Sequence, residues 1–75
     1  MGIVLTSKGK YEDGIEYFLK ALGINPEYAE VYNNLGVVLA RQGKMDDAVE
    51  SFKKALTFRP DYSEARSNLR FITGQ

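Results

Sequence analysis

The chain has seventy-five residues, ten basic and ten acidic side chains, no cysteine and no histidine. This excludes a disulfide framework, thiolate metal sites and thiol nucleophiles, and it removes the commonest general base and zinc ligand. A net charge of zero argues against nucleic acid as a partner, because neutralising phosphates normally takes a basic face. A chain of this size buries only about 60% of the surface its unfolded form exposes, so one small domain of modest stability is expected. No apolar run reaches the length of a bilayer span and no signal-peptide core is present, so the expectation is a soluble cytoplasmic protein with no membrane partner.

In chain order, the apolar cluster Ile3, Val4, Leu5 reads as the end of a helix over residues 2–8, stopped by Gly9. Helical spacing then places Tyr11, Ile15, Phe18, Leu19 and Leu22 on a second helix over residues 11–22. Glu12 and Asp13 start it, a Glu16–Lys20 pair supports it, and Gly23 and Pro26 stop it. A third helix is predicted over residues 28–42, burying Val31, Leu35, Val38 and Leu39, with Gly43 as a left-handed cap. A fourth runs over residues 45–58, turning Ala48, Val49, Phe52, Ala55 and Leu56 inward, with Asp46 and Asp47 in its first turn and a Glu50–Lys54 pair. The spacing of Asp61 and Glu64 predicts a capping box opening a fifth helix over residues 62–73. Short connections make neighbouring helices antiparallel.

These helices repeat. Sliding the chain along itself by about 34 positions lays Gly2 on Gly36, Leu5 on Leu39, Gly9 on Gly43, Phe18 on Phe52, Ala21 on Ala55 and Pro26 on Pro60. The register continues from Tyr28 to Tyr62 and from Asn34-Leu35 to Asn68-Leu69. The residues Ala29 to Tyr62 form one complete unit, preceded by an incomplete copy over residues 1–28 and followed by a single capping helix over 63–75. The start Met1-Gly2-Ile3-Val4-Leu5-Thr6 also fits an acylation pattern, but the repeat already accounts for Gly2 and Leu5.

The complete unit, with Tyr32, Leu35-Gly36, Leu39, Gly43, Ala48, Phe52, Ala55 and Pro60 at fixed offsets, resembles a tetratricopeptide repeat. The resemblance implies an all-α fold of about five helices, antiparallel hairpins stacked into a short right-handed α-solenoid. In it Gly36 and Ala48 let two helices approach, and Phe52 fills the gap between units. Two departures stand out: Gly14 replaces the alanine seen at Ala48, and Arg70 replaces the glycine seen at Gly36. Arg66 and Arg70 give the last helix the polar outer face of a cap.

Proteins of this kind are scaffolds that hold a peptide or partner protein in a concave groove lined by the first helix of each unit. Carried over, that face comprises Ile3, Thr6 and Ser7; Glu30, Asn33, Asn34, Val37, Ala40 and Arg41; and Glu64, Ser67, Asn68 and Phe71. The partner-binding candidates are Asn33, Asn34, Val37, Ala40, Arg41, Ser67, Asn68 and Phe71. Asn34 and Asn68 are equivalent and expected to stack along the groove, each amide offering a donor and an acceptor. The family's lysine–asparagine–arginine carboxylate clamp is missing, since Glu30 and Glu64 would repel a carboxylate. The carboxylates Glu12, Asp13, Glu16 and Asp46, Asp47, Glu50 read as helix-start residues. No catalytic, cofactor or metal site is expected, and no enzyme. Two alternatives remain: a self-association module acting through the incomplete first repeat, giving a homo-oligomer, and the non-catalytic repeat region of a larger enzyme.

Overall fold

The structure is a computed structural model that describes the backbone of residues 2–74 and the side chains of residues 11–74. It is all-helical, with the order α1 (Gly2–Ile24), α2 (Ala29–Arg41), α3 (Met45–Phe58) and α4 (Ser63–Thr73). Consecutive helices pack antiparallel through short turns into a slab of 39 × 33 × 17 Å. The short dimension is two layers of helices at ordinary interaxial spacing.

Among the described residues four helices stand where five were expected, because Gly9 does not end a helix: α1 runs unbroken through it. A glycine inside a helix costs only about 1 kcal/mol against alanine. It stops a helix where the reversed chain gains packing in return, and a half-helix of about seven residues is too short to supply that packing. The equivalent Gly43 does reverse the chain. Its φ is +83°, Lys44 N–H donates to the Leu39 carbonyl at 2.9 Å and Gly43 N–H to the Ala40 carbonyl at 3.0 Å. This is the Schellman pattern, in which two otherwise orphaned carbonyls are satisfied.

The helix starts repeat in geometry as well as in sequence. Tyr28 and Tyr62 are the N-caps of α2 and α4, both with φ −77° and ψ 90°. Each follows a proline whose carbonyl is claimed by a side chain six residues on: Tyr32 Oη donates to the Pro26 carbonyl at 2.8 Å, and Arg66 Nη2 to the Pro60 carbonyl at 2.9 Å. Arg66 thus does more than make a polar outer face, since it latches the α3–α4 turn as Tyr32 latches the α1–α2 turn. The expected Asp61 cap does not form, because the N-cap position falls to Tyr62, which makes no side-chain capping bond. Lys54 also has a different partner from the one expected: its ammonium sits 5.8 Å from the centroid of the Tyr32 ring. That ring is stacked on Phe58 at 5.7 Å between centroids.

The core lies between α2 and α3. Ala48, Phe52 and Ala55 of α3 are completely or almost completely enclosed, against Val31, Leu35 and Gly36 of α2. A Cβ on Gly36 would stand 2.6 Å from the Phe52 ring. Phe52 therefore fills the hollow over Gly36 inside one unit, rather than only a gap between units. Val38, Leu39, Val49 and Leu56 are half-buried.

The first copy is looser. Gly14, Phe18 and Ala21, the equivalents of Ala48, Phe52 and Ala55, are each only half-buried, and Tyr17 and Ile24 are exposed. A Cβ on Gly14 would meet only the Phe18 ring, at 3.9 Å, an ordinary contact. Gly14→Ala is therefore expected to stabilise the protein by about 0.5–1 kcal/mol through helix propensity. An increased urea midpoint with an unchanged m-value is the measurement that checks it.

Candidate functional site

The α2 and α4 helices lie side by side, and where α4 crosses the C-terminal half of α2 a recess of about 180 Å³ opens between them. Its walls are Val37, Ala40 and Arg41 from α2 and Asn68, Phe71 and Ile72 from α4, with Phe52 of α3 also lining it. Helical spacing explains the convergence: Val37, Ala40 and Arg41 stand at i, i+3 and i+4, as do Asn68, Phe71 and Ile72, so each set forms one face. Phe52 can reach this space because Gly36 leaves no side chain in its way. The recess has apolar walls, and Arg41 is its one charged member. Phe71 is 87% exposed, a large apolar area left to water beside an apolar hollow.

Of the eight residues expected to bind a partner, the structure brings Val37, Ala40, Arg41, Asn68 and Phe71 together around this recess. Asn34 and Ser67 are exposed but lie outside it, and Asn33 is fully enclosed. The stacking expected between Asn34 and Asn68 is replaced by a different pair: Asn68 Nδ2 donates to Asn33 Oδ1 at 3.0 Å. Successive equivalent helices present opposite flanks to each other, so Asn33 lies on the side of α2 that meets α4 while Asn34, one residue on and about 100° around the helix, stays exposed. The expected groove residues Ile3, Thr6 and Ser7 lie outside the described side chains. Ile72 was missed by sequence reasoning, although its position four residues after Asn68 is the signal that places it on this face.

Asn33 has a second neighbour. The Tyr62 phenol is held above its ordinary value by burial first, then by the negative charges of Glu64 and Glu30, while Arg59 and hydrogen bonding from Asn33 pull the other way. The Asn33 Nδ2 group has no partner within strict hydrogen-bond geometry, so its pull on Tyr62 is a weak polar contact and not a full bond. Arg59 places its guanidinium 4.9 Å from the centre of the Tyr62 ring. Because the folded-state value is raised, Tyr62 contributes stability that is complete below the unfolded-state value near 10. That contribution is lost as pH rises through the higher folded-state value. The urea midpoint of the wild type is expected to fall more steeply above pH 10 than that of Tyr62→Phe, which has no such proton to lose.

Among the described residues no cluster of three or more histidine, cysteine, aspartate or glutamate side chains could hold a metal ion. Among the described residues no helix is long and apolar enough to cross a membrane. A comparison with curated proteins gives no match. The tetratricopeptide repeat model matches residues 1–69, nearly the whole chain, and the alternation of glycine-bearing and phenylalanine-bearing helices is the packing that family is built on. The protein belongs to the tetratricopeptide repeat family.

Proposed function

We propose that the chain is a protein–protein interaction module that holds a partner peptide in the recess between α2 and α4, acting by binding and not by catalysis, in the cytoplasm. The observation that carries this reading is the convergence of Val37, Ala40, Arg41, Asn68 and Phe71 on one apolar hollow. Repeats of this family generally mediate protein–protein contacts, and exposed aromatic and arginine side chains around a pocket are the residue types that dominate interface energies. The module spans residues 1–75 as an incomplete repeat, one complete repeat over residues 29–62 and a capping helix.

Selection from a displayed library of random short peptides tests this. Enrichment of peptides with an apolar anchor is expected, and their affinity should drop at least ten-fold in Phe71→Ala and in Arg41→Ala, about the loss of one strong interface residue. Both side chains are exposed, so helicity by circular dichroism should stay unchanged. Absence of enrichment, or equal capture by both variants, would overturn the reading.

A second reading has its own observation. The α1 face carrying Gly14, Phe18 and Ala21 is half-covered, where the equivalent residues of the complete repeat are fully enclosed. A second copy of the chain covering that face makes a homo-oligomer. Light scattering over a dilution series decides it: mass rising with concentration supports the oligomer, and a constant monomer mass removes it.

A further inference from the structure

Among the described residues, Asn33 is the one large polar side chain completely withdrawn from water. It cannot touch anything bound in the recess, yet an amide buried with incomplete hydrogen bonding is costly and is not kept without a role. Its full-strength hydrogen bond goes to Asn68, which does line the recess. We infer that Asn33 is a positioning residue: it holds the Asn68 amide in one orientation, so that Asn68 presents its carbonyl oxygen to the bound segment and the recess selects a backbone N–H at that point. The inference rests on the peptide-binding reading and deepens it.

Three observations support it. First, an asparagine amide is planar, with its donors on nitrogen and its acceptor on oxygen. With Nδ2 of Asn68 engaged inward at 3.0 Å, Oδ1 is the group left to face an occupant. Second, the same bond orients Asn33 itself: its Oδ1 accepts from Asn68, so its Nδ2 is turned away from Asn68, where it has no hydrogen-bond partner. Third, the other polar group of the recess is of opposite kind. Arg41 carries only donors and stands eight residues beyond Asn33, about 12 Å along α2. The recess therefore has an acceptor towards one end, donors towards the other and apolar walls between them. An extended peptide of three or four residues spans that length at about 3.3 Å each. It would lie with an N–H at Asn68, an apolar side chain against Val37, Phe52 and Phe71, and a carbonyl or carboxylate oxygen at Arg41.

The test uses two small probes on the intact chain. One is N-acetyl-leucine N′-methylamide. The other is its analogue methylated on both amide nitrogens, which keeps the apolar side chain and both carbonyls but has no N–H. Nitrogen–proton correlation spectra of the wild type, titrated at millimolar probe concentrations, should show Val37, Phe71 and the Asn68 side-chain amide shifting together. The parent probe should bind about 3–10-fold more tightly than the methylated one, the value of a single neutral hydrogen bond. In Asn33→Leu, binding of the methylated probe should be unchanged and the preference should collapse towards one-fold. The two Asn68 amide protons should also move closer together in shift and exchange faster with solvent. A purely structural role for Asn33 would weaken both probes equally. If the leucine variant loses its helical signal, Asn33→Ala removes the same acceptor with less bulk.

Three results overturn the inference. Discrimination that persists in the variant removes the role of Asn33 while leaving peptide binding intact. Equal affinity of the two probes in the wild type would show that Asn68 accepts no N–H and presents its nitrogen instead, since both probes keep their carbonyls. No shift with either probe would remove peptide binding at this recess and the inference with it.

Discussion

Phe52→Ala is expected to cost about 3–5 kcal/mol, the range for truncating an enclosed phenylalanine. A domain of this length has roughly 4–11 kcal/mol in total, at about 0.05–0.15 kcal/mol per residue, so the variant should be largely unfolded well below the wild-type melting temperature. The expected size follows from where the ring lies. It is 1% exposed, it occupies the hollow over Gly36, and it also lines the α2–α4 recess. Ala48 and Ala55 on the same face of α3 are short and already completely enclosed, so they cannot fill the space it leaves. Thermal unfolding followed by circular dichroism measures the loss. Phe18→Ala provides the comparison: Phe18 is only half-buried, so a clearly smaller loss is expected there. Equal losses at the two positions would show that α1 is packed as tightly as α3.

Gly36→Ala is the second large effect, and its sign runs against helix propensity. Alanine gains about 1 kcal/mol over glycine in a helix interior. The new methyl group, however, stands 2.6–2.8 Å from three atoms of the Phe52 ring, a separation that forces movement. Since that ring is enclosed, overpacking of about 1–3 kcal/mol or more is expected to outweigh the gain. The double variant Gly36→Ala, Phe52→Leu should recover part of the loss, because the two sites share one hollow and their effects are coupled. Chemical denaturation of the four proteins in this cycle measures the coupling, and simple additivity would show that the ring is not what the methyl group meets. The contrast with Gly14→Ala is informative. The same substitution at two mid-helix glycines stabilises where the Cβ meets a ring at ordinary contact distance and destabilises where it stands 2.6 Å from an enclosed one.

The functional consequence lies in the same contact. The recess that gathers Val37, Arg41, Asn68 and Phe71 includes Phe52, and Phe52 reaches it only because Gly36 has no side chain. Changes at Gly36 are thus expected to alter the binding recess as well as stability, although Gly36 is enclosed and faces no partner.

A good deal of this protein was legible in its residues. The repeat register, the all-helical class, the Gly43 reversal and the enclosed positions Val31, Leu35, Ala48, Phe52 and Ala55 follow from periodicity and glycine–proline punctuation. These are local properties, set by backbone sterics and by which side chains share a helical face. Five of the eight expected binding residues converge because Val37, Ala40 and Arg41 share one helical face of α2, and Asn68 and Phe71 share one face of α4.

The remainder depended on how the helices pack. Whether Gly9 reverses the chain was not a question of its own conformational freedom, since the same freedom at Gly43 does produce a reversal. The packing gained after the turn decided it. Nor could the residues alone show which of two adjacent asparagines meets Asn68. Asn33 and Asn34 are identical in chemistry, and the side of α2 on which α4 packs made Asn33 a buried hydrogen-bond acceptor and left Asn34 in water. Sequence determined the helices and the residues they offer. The crossing of α2 and α4 decided which of those residues share a recess, because adjacent residues on a helix stand about 100° apart and only those turned toward the crossing can line it.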